Sequence, residues 1–186
     1  MIARLVVLAS GSGSTLQAIL DAALPATIVA AGTDRPDCQA MTRARNAELE
    51  TFAVAPADYP ARADWDRALV EKLAEYQPDL VVLAGFMRIL SADTVGKFRM
   101  VNTHPALLPS FPGAHGVADA LAYGVKITGA TVHWVDAGVD SGPIIAQVAV
   151  PVEPGDTEET LRARVQAAEK PLFVETIRQL CEEIAK

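Results

Sequence analysis

The chain has 186 residues, 51% of them apolar and 21% charged, which excludes a disordered polypeptide and suits a single compact domain over 1–186. Lys plus Arg number 16 against 23 Asp plus Glu, and the net charge of -7 argues against nucleic-acid or anionic-membrane partners while leaving room for an anionic small substrate. Cys38 and Cys181 form no CxxC pair and Met1 to Leu5 carries no leader pattern, so the expectation is a cytoplasmic protein with reduced thiols. No apolar run is long enough to span a bilayer, and His104, His115 and His133 lack the paired spacing of a metal site.

Short β runs alternate with helical segments. Residues 3–9 form an apolar run fit for a strand buried on both faces, and Leu16, Ile19, Leu20 and Ala23 stripe a helix over 14–23. A strand at 27–31, a helix near 38–47 and a short strand at 51–54 follow. Trp65, Leu69, Leu73 and Tyr76 mark a longer helix that ends before Pro78, ahead of strands at 80–84 and 100–103. Proline and glycine crowd 105–116 into an ordered loop, in which Leu108-Pro109 is a candidate cis bond. Strands at 127–135 and 144–150 flank a loop over 136–143. Asp156 with Glu159 can cap a final helix striped by Leu161, Val165, Ala168 and Leu172, which Pro171 should kink or end before Ile177, Leu180 and Ile184. Repeated βα alternation predicts an α/β, Rossmann-like, mostly parallel twisted sheet with helices on both faces, its ligands outside the carboxyl ends of the strands.

Three segments carry chemistry. Ser10-Gly11-Ser12-Gly13-Ser14-Thr15 joins the first strand to the first helix and offers unpaired N–H groups at a positive helix end, as a phosphate cradle needs. Leu16 replaces the third glycine of a dinucleotide fingerprint, although Asp34 falls near the position of a ribose-binding carboxylate. Asn102 and His104, two apart on a strand end, share one face and join an oxyanion-stabilising amide to a proton-moving imidazole. Glycines and proline shape the loop around Asp140, whose carboxylate could reach the same rim or close an Asx turn. His133, alternating within a strand, reads as a satisfied structural histidine; His115 could start a helix or line the site.

Together these segments resemble the folate-dependent phosphoribosylglycinamide formyltransferases. The resemblance covers nearly the whole chain, through Leu83-Ala84-Gly85-Phe86-Met87-Arg88-Ile89-Leu90, Asn102-x-His104-Pro105-Ala106-Leu107-Leu108-Pro109 and Val139-Asp140-Ser141-Gly142-Pro143-Ile144. It implies the formyltransferase fold, with the phosphate side in the N-terminal part and the folate side in the C-terminal part. It also implies formyl transfer from 10-formyltetrahydrofolate, as co-substrate and without a metal, to the amine of glycinamide ribonucleotide in purine biosynthesis.

By the same resemblance Asn102, His104 and Asp140 form the catalytic trio. Gly13, Ser14 and Thr15 would take the phosphate, and Gln166 and Glu169 the ribose and glycinamide. Met87, Arg88, Ile89 and Leu90 would line the pterin slot, with Asn102 beside it. The backbone of Asp136, Ala137, Gly138, Val139 and Asp140 would hydrogen-bond the folate, and Arg62 would lie near its glutamate tail. Thr15 and Ser110 stand where family members often carry asparagine and lysine, which bears on substrate affinity more than on reaction type. A formyltetrahydrofolate deformylase is the nearest alternative and a nucleotide-binding module a further one; a homodimer is left open.

Overall fold

A computed structural model describes residues 2–186; Met1, where the leader reading begins, lies outside the described residues. The strands are β1 (Ala3–Leu8), β2 (Ala26–Thr33), β3 (Thr51–Ala53), β4 (Leu80–Leu83), β5 (Met100–His104), β6 (Ile127–Trp134) and β7 (Ile144–Pro151). They form one sheet in the order β3-β2-β1-β4-β5-β6-β7. The pairings from β3 through β5 are parallel, and β5 with β6 and β6 with β7 are antiparallel. The helices are α1 (Ser14–Asp21), α2 (Gln39–Asn46), α3 (Arg62–Glu75), α4 (Ala92–Lys97), α5 (Gly116–Tyr123) and α6 (Glu158–Ala185).

The continuous apolar runs of β1 and β4 follow from burial on both faces. Leu5 and Val7 pack with α1, α2 and α6 through Leu16, Ile19, Met41, Phe173 and Ile177. Their neighbours Val6 and Leu8 face the opposite way, onto Trp65, Leu69 and Leu73 of α3. The period-2 alternation of a strand thus splits one run between two cores. A third cluster joins Val117 of α5 to Ala130, Val150, Leu161 and Val165.

Several expectations change. α6 runs unbroken for 28 residues through Pro171, which stands on the solvent side, where water can take the carbonyl that the missing N–H leaves unpaired. Its cap is Thr157 with Thr160, each hydroxyl accepting from the other's backbone N–H at 3.3 and 3.0 Å, rather than Asp156 with Glu159. Asp156 instead meets Arg164 through both carboxylate oxygens, at 2.6 and 2.9 Å. α4, too short to show a period, was not anticipated, and α5 begins just after His115. Leu108-Pro109 is cis.

Candidate active site

The carboxyl ends of β1, β4 and β5 lie side by side and carry the turn at residues 10–15, the segment after Leu83 and the pair Asn102 and His104, while Asp140 comes from the loop between β6 and β7. At the first, Gly13 precedes α1 with φ of 72° and ψ of 20°, and no side chain caps the helix. A Cβ there would lie 2.6 Å from Ala40 Cα, so glycine serves both the left-handed conformation and the approach of α2. No acidic side chain stands in the first turn of α1, which leaves its N–H groups suited to an anion at Ser14 and Thr15.

At β5, Asn102 pairs in register with His133 of β6, and His104 with Thr131. His104 is buried, with Nε2 2.8 Å from the carbonyl oxygen of Phe111 and Nδ1 3.2 Å from Asp140 Oδ2. Both partners are acceptors, so a ring carrying two N–H groups satisfies both contacts. His133 donates from Nδ1 to the Trp134 carbonyl at 2.9 Å. Its Nε2 sits 3.3 Å from the Asn102 amide and 3.5 Å from Asp140 Oδ1. Asp140, at φ of 52°, also accepts the Gly113 N–H at 2.8 Å. Burial pushes its carboxyl up, but the hydrogen bond from His133, the Gly113 N–H and the charges of both histidines outweigh that and hold it below the usual carboxylate range.

The structure therefore brings Asn102, His104 and Asp140 together, and His133, buried with both ring nitrogens partnered as a satisfied structural histidine should be, stands beside the amide and the carboxylate. Phe111 and Gly113 contribute through their backbones, which side-chain chemistry gives no means of spotting in a sequence. His115 is exposed at the start of α5.

On α6, Glu169 is buried and accepts the Thr103 hydroxyl at 3.0 Å, so α6 lies against the strand that bears Asn102 and His104. Burial raises the Glu169 carboxyl above its ordinary value despite the Thr103 bond and the Lys170 charge. Gln166, one turn earlier, is exposed.

The segment after β4 alternates. Phe86 and Leu90 turn into the α3-side core, whereas Met87 and Ile89 are 69% and 59% exposed, a high value for apolar side chains. The Leu90 side chain thus packs in the core rather than facing outward. Arg62 lies over the Trp65 ring at 4.8 Å, pairs with Asp66 at 2.9 Å and donates to the Ile89 carbonyl. Arg88 Nε pairs with buried Asp34 at 2.6 Å. Because Asp34 also accepts the Ser10 hydroxyl at 2.5 Å, its carboxylate is occupied and the ribose-binding reading falls. In the loop after β6, Asp136 accepts the Gly138 N–H at 3.0 Å and the Ser141 hydroxyl at 2.8 Å. The Gly138 donor expected for folate is therefore spent on shaping the loop, while Ala137 and Val139 remain exposed.

Among the described residues no group of three or more His, Cys, Asp or Glu is placed to hold a metal ion, and no helix is long and apolar enough to cross a membrane.

The formyl transferase family model matches residues 3–177, and the chain belongs to that family. Within it, a phosphoribosylglycinamide formyltransferase of Mycobacterium tuberculosis is 57% identical over 183 residues, covering 96% of this chain and 85% of that protein. The Escherichia coli protein of the same name is 42% identical over 91% of this chain and 83% of its own length. The solved structure of glycinamide ribonucleotide transformylase 1 from Symbiobacterium toebii matches at a TM-score of 0.94 and 46% identity, covering 98% of this chain and 89% of that one.

Proposed function

We propose that Asn102, His104 and Asp140 carry formyl transfer from 10-formyltetrahydrofolate to the primary amine of glycinamide ribonucleotide, giving formylglycinamide ribonucleotide and tetrahydrofolate. The names and identities of the relatives favour this transferase over a deformylase. The observation that carries the assignment of residues is the convergence of the three side chains on one rim, with Asp140 3.2 Å from His104.

The neutral amine attacks the formyl carbon, forming a C–N bond and placing negative charge on the formyl oxygen. The Asn102 amide, set by His133, donates to that oxygen. His104 adds no second donor there, because both of its nitrogens already face acceptors. Its contribution is then positional, a ring that Asp140 and the Phe111 carbonyl hold beside the reacting carbon. Asp140 Oδ2 faces His104 and Gly113, and Oδ1, 3.5 Å from His133 Nε2, would accept the proton the amine sheds, directly or through water. Collapse breaks the bond to folate N10, which takes up a proton.

The α1 end at Gly13, Ser14 and Thr15 would hold the phosphate, with Gln166 and Glu169 toward the ribose and glycinamide. Met87, Arg88, Ile89 and Leu90, the backbone of Asp136, Ala137, Val139 and Asp140, and Arg62 would meet the folate. Residues 1–186 would act as one formyltransferase domain in the cytoplasm, on small molecules and without nucleic-acid or membrane partners; a homodimer is compatible with this assignment. The test is an assay of 10-formyltetrahydrofolate with and without glycinamide ribonucleotide. Product that depends on the amine supports the transferase, and formate released without it would make the chain a deformylase.

A further inference from the structure

A buried ion pair is a poor source of stability, because desolvation offsets its attraction, so a buried carboxylate that joins two loops calls for a positional explanation. Asp34 follows β2, and its side chain is 0% exposed against 37% for its partner Arg88. Its two oxygens serve different partners. Oδ2 accepts Arg88 Nε at 2.6 Å, and Oδ1 accepts the Ser10 hydroxyl at 2.5 Å. That hydroxyl in turn accepts the Met87 backbone N–H at 2.8 Å, while the Ser10 N–H donates to the Gly85 carbonyl at 3.1 Å. A residue at the end of β2 thus reaches past β1 to hold the segment after β4, two strands away. Ser10, Gly11, Ser12, Asp34 and Arg88 line one cavity of about 780 Å³.

The segment from Phe86 to Leu90 has no helix or strand hydrogen bonds of its own. Inward, Phe86 and Leu90 fix it in the core. On the other side, Arg62 holds the Ile89 carbonyl and the Asp34–Ser10 relay holds Met87 and Arg88. Since Asp34 engages Arg88 at Nε, the remaining guanidinium N–H groups are left for a carboxylate or carbonyl.

We propose that Asp34 is a positioning residue for the folate side of the site: through Arg88 and Ser10 it fixes the Met87–Ile89 surface against the β1–α1 turn, and so sets affinity for the carboxylate-bearing formyl folate. The proposal rests on the assignment of Met87, Arg88 and Ile89 to that substrate.

Charge alone and positioning predict opposite signs, which makes the test decisive. Removing a carboxylate that merely neutralises Arg88 should tighten an anionic folate; removing one that positions Arg88 should loosen it. Asp34→Ala is expected to raise the KM for 10-formyltetrahydrofolate by about tenfold, the scale of a hydrogen bond to a charged group, with kcat and the KM for glycinamide ribonucleotide within about twofold of the parent. Ser10→Ala, which leaves the ion pair intact and removes the tether on Met87, should give a smaller rise of the same kind; it carries the test if Asp34→Ala does not fold. A lower KM in Asp34→Ala, or equal losses for both substrates, overturns the proposal. An unchanged KM in Asp34→Ala together with a raised one in Arg88→Ala overturns it while leaving the folate assignment standing. An unchanged KM in Arg88→Ala takes down both.

Discussion

The β1–α1 turn and the β5–β6–β7 rim sit on one sheet but are built on different principles. The turn is local: six consecutive residues, a left-handed Gly13 and an uncapped helix end present backbone N–H groups to one point. The rim is assembled across the chain. Asn102 and His104 come from β5, His133 from β6, Asp140 from the loop beyond it, and the backbones of Phe111 and Gly113 close the set. A site made of backbone tolerates changes of side chain that keep its conformation. A site made of ionisable side chains holding one another does not.

The largest effect should therefore come from the rim. Asp140→Asn removes the charge that His104 faces and the acceptor for the amine proton, and turnover is expected to fall by roughly 10³-fold or more, within the range of charge-stabilising and proton-transfer groups. Folate affinity should change by no more than a few-fold, because Ala137 and Val139 keep their backbone donors. Steady-state kinetics beside equilibrium folate binding checks the split, and a parallel loss of both would place Asp140 in binding rather than chemistry. His104→Ala is expected to cost roughly 10²–10⁴ in kcat. Near-parental turnover would remove it from the mechanism.

The same contrast explains what the sequence disclosed. The parallel half was legible because β1 and β4 are apolar runs between turns, and α1 and α3 carry stripes at helical spacing. The turn was legible because its chemistry lies in adjacent residues. The trio rested on resemblance, since no spacing law brings Asp140 to His104. The place of His133 beside Asn102 was not legible, because it depends on the antiparallel register that pairs the two, and register is not written in one strand. Asp34 was misread for the opposite reason: its position in the fold suited a ribose contact, but the partners that occupy it, Ser10 and Arg88, come from β1 and the segment after β4. Pro171 suggested a break, yet in an exposed position it costs one hydrogen bond that solvent can replace.

A substitution in the turn should act through backbone. Gly13→Ala forces a Cβ into the left-handed region and against Ala40, and is expected to destabilise the fold by about 1–3 kcal/mol. The KM for glycinamide ribonucleotide should rise, while kcat falls far less than in Asp140→Asn. Thermal melting beside kinetics separates the two, and a variant with unchanged melting and unchanged KM would show that the turn's shape matters little.

The smallest effect separates stability from function at Glu169. Burial raises this carboxyl above its ordinary value, so charging it disfavours the folded state. A group raised in the fold weighs nothing below its unfolded value, where it is protonated in both states, and its cost sets in as pH rises through the folded value. Glu169→Gln keeps an acceptor for Thr103 and removes that cost. The variant should melt above the parent near neutral pH and converge with it below the ordinary glutamate range, yet bind glycinamide ribonucleotide less well. A melting gain without a binding loss would mark Glu169 as a strained core residue; a binding loss without the gain would mean that the charge is already compensated in the free protein. The predicted pairing of the two would make it a carboxylate held at a cost in stability for the sake of the substrate.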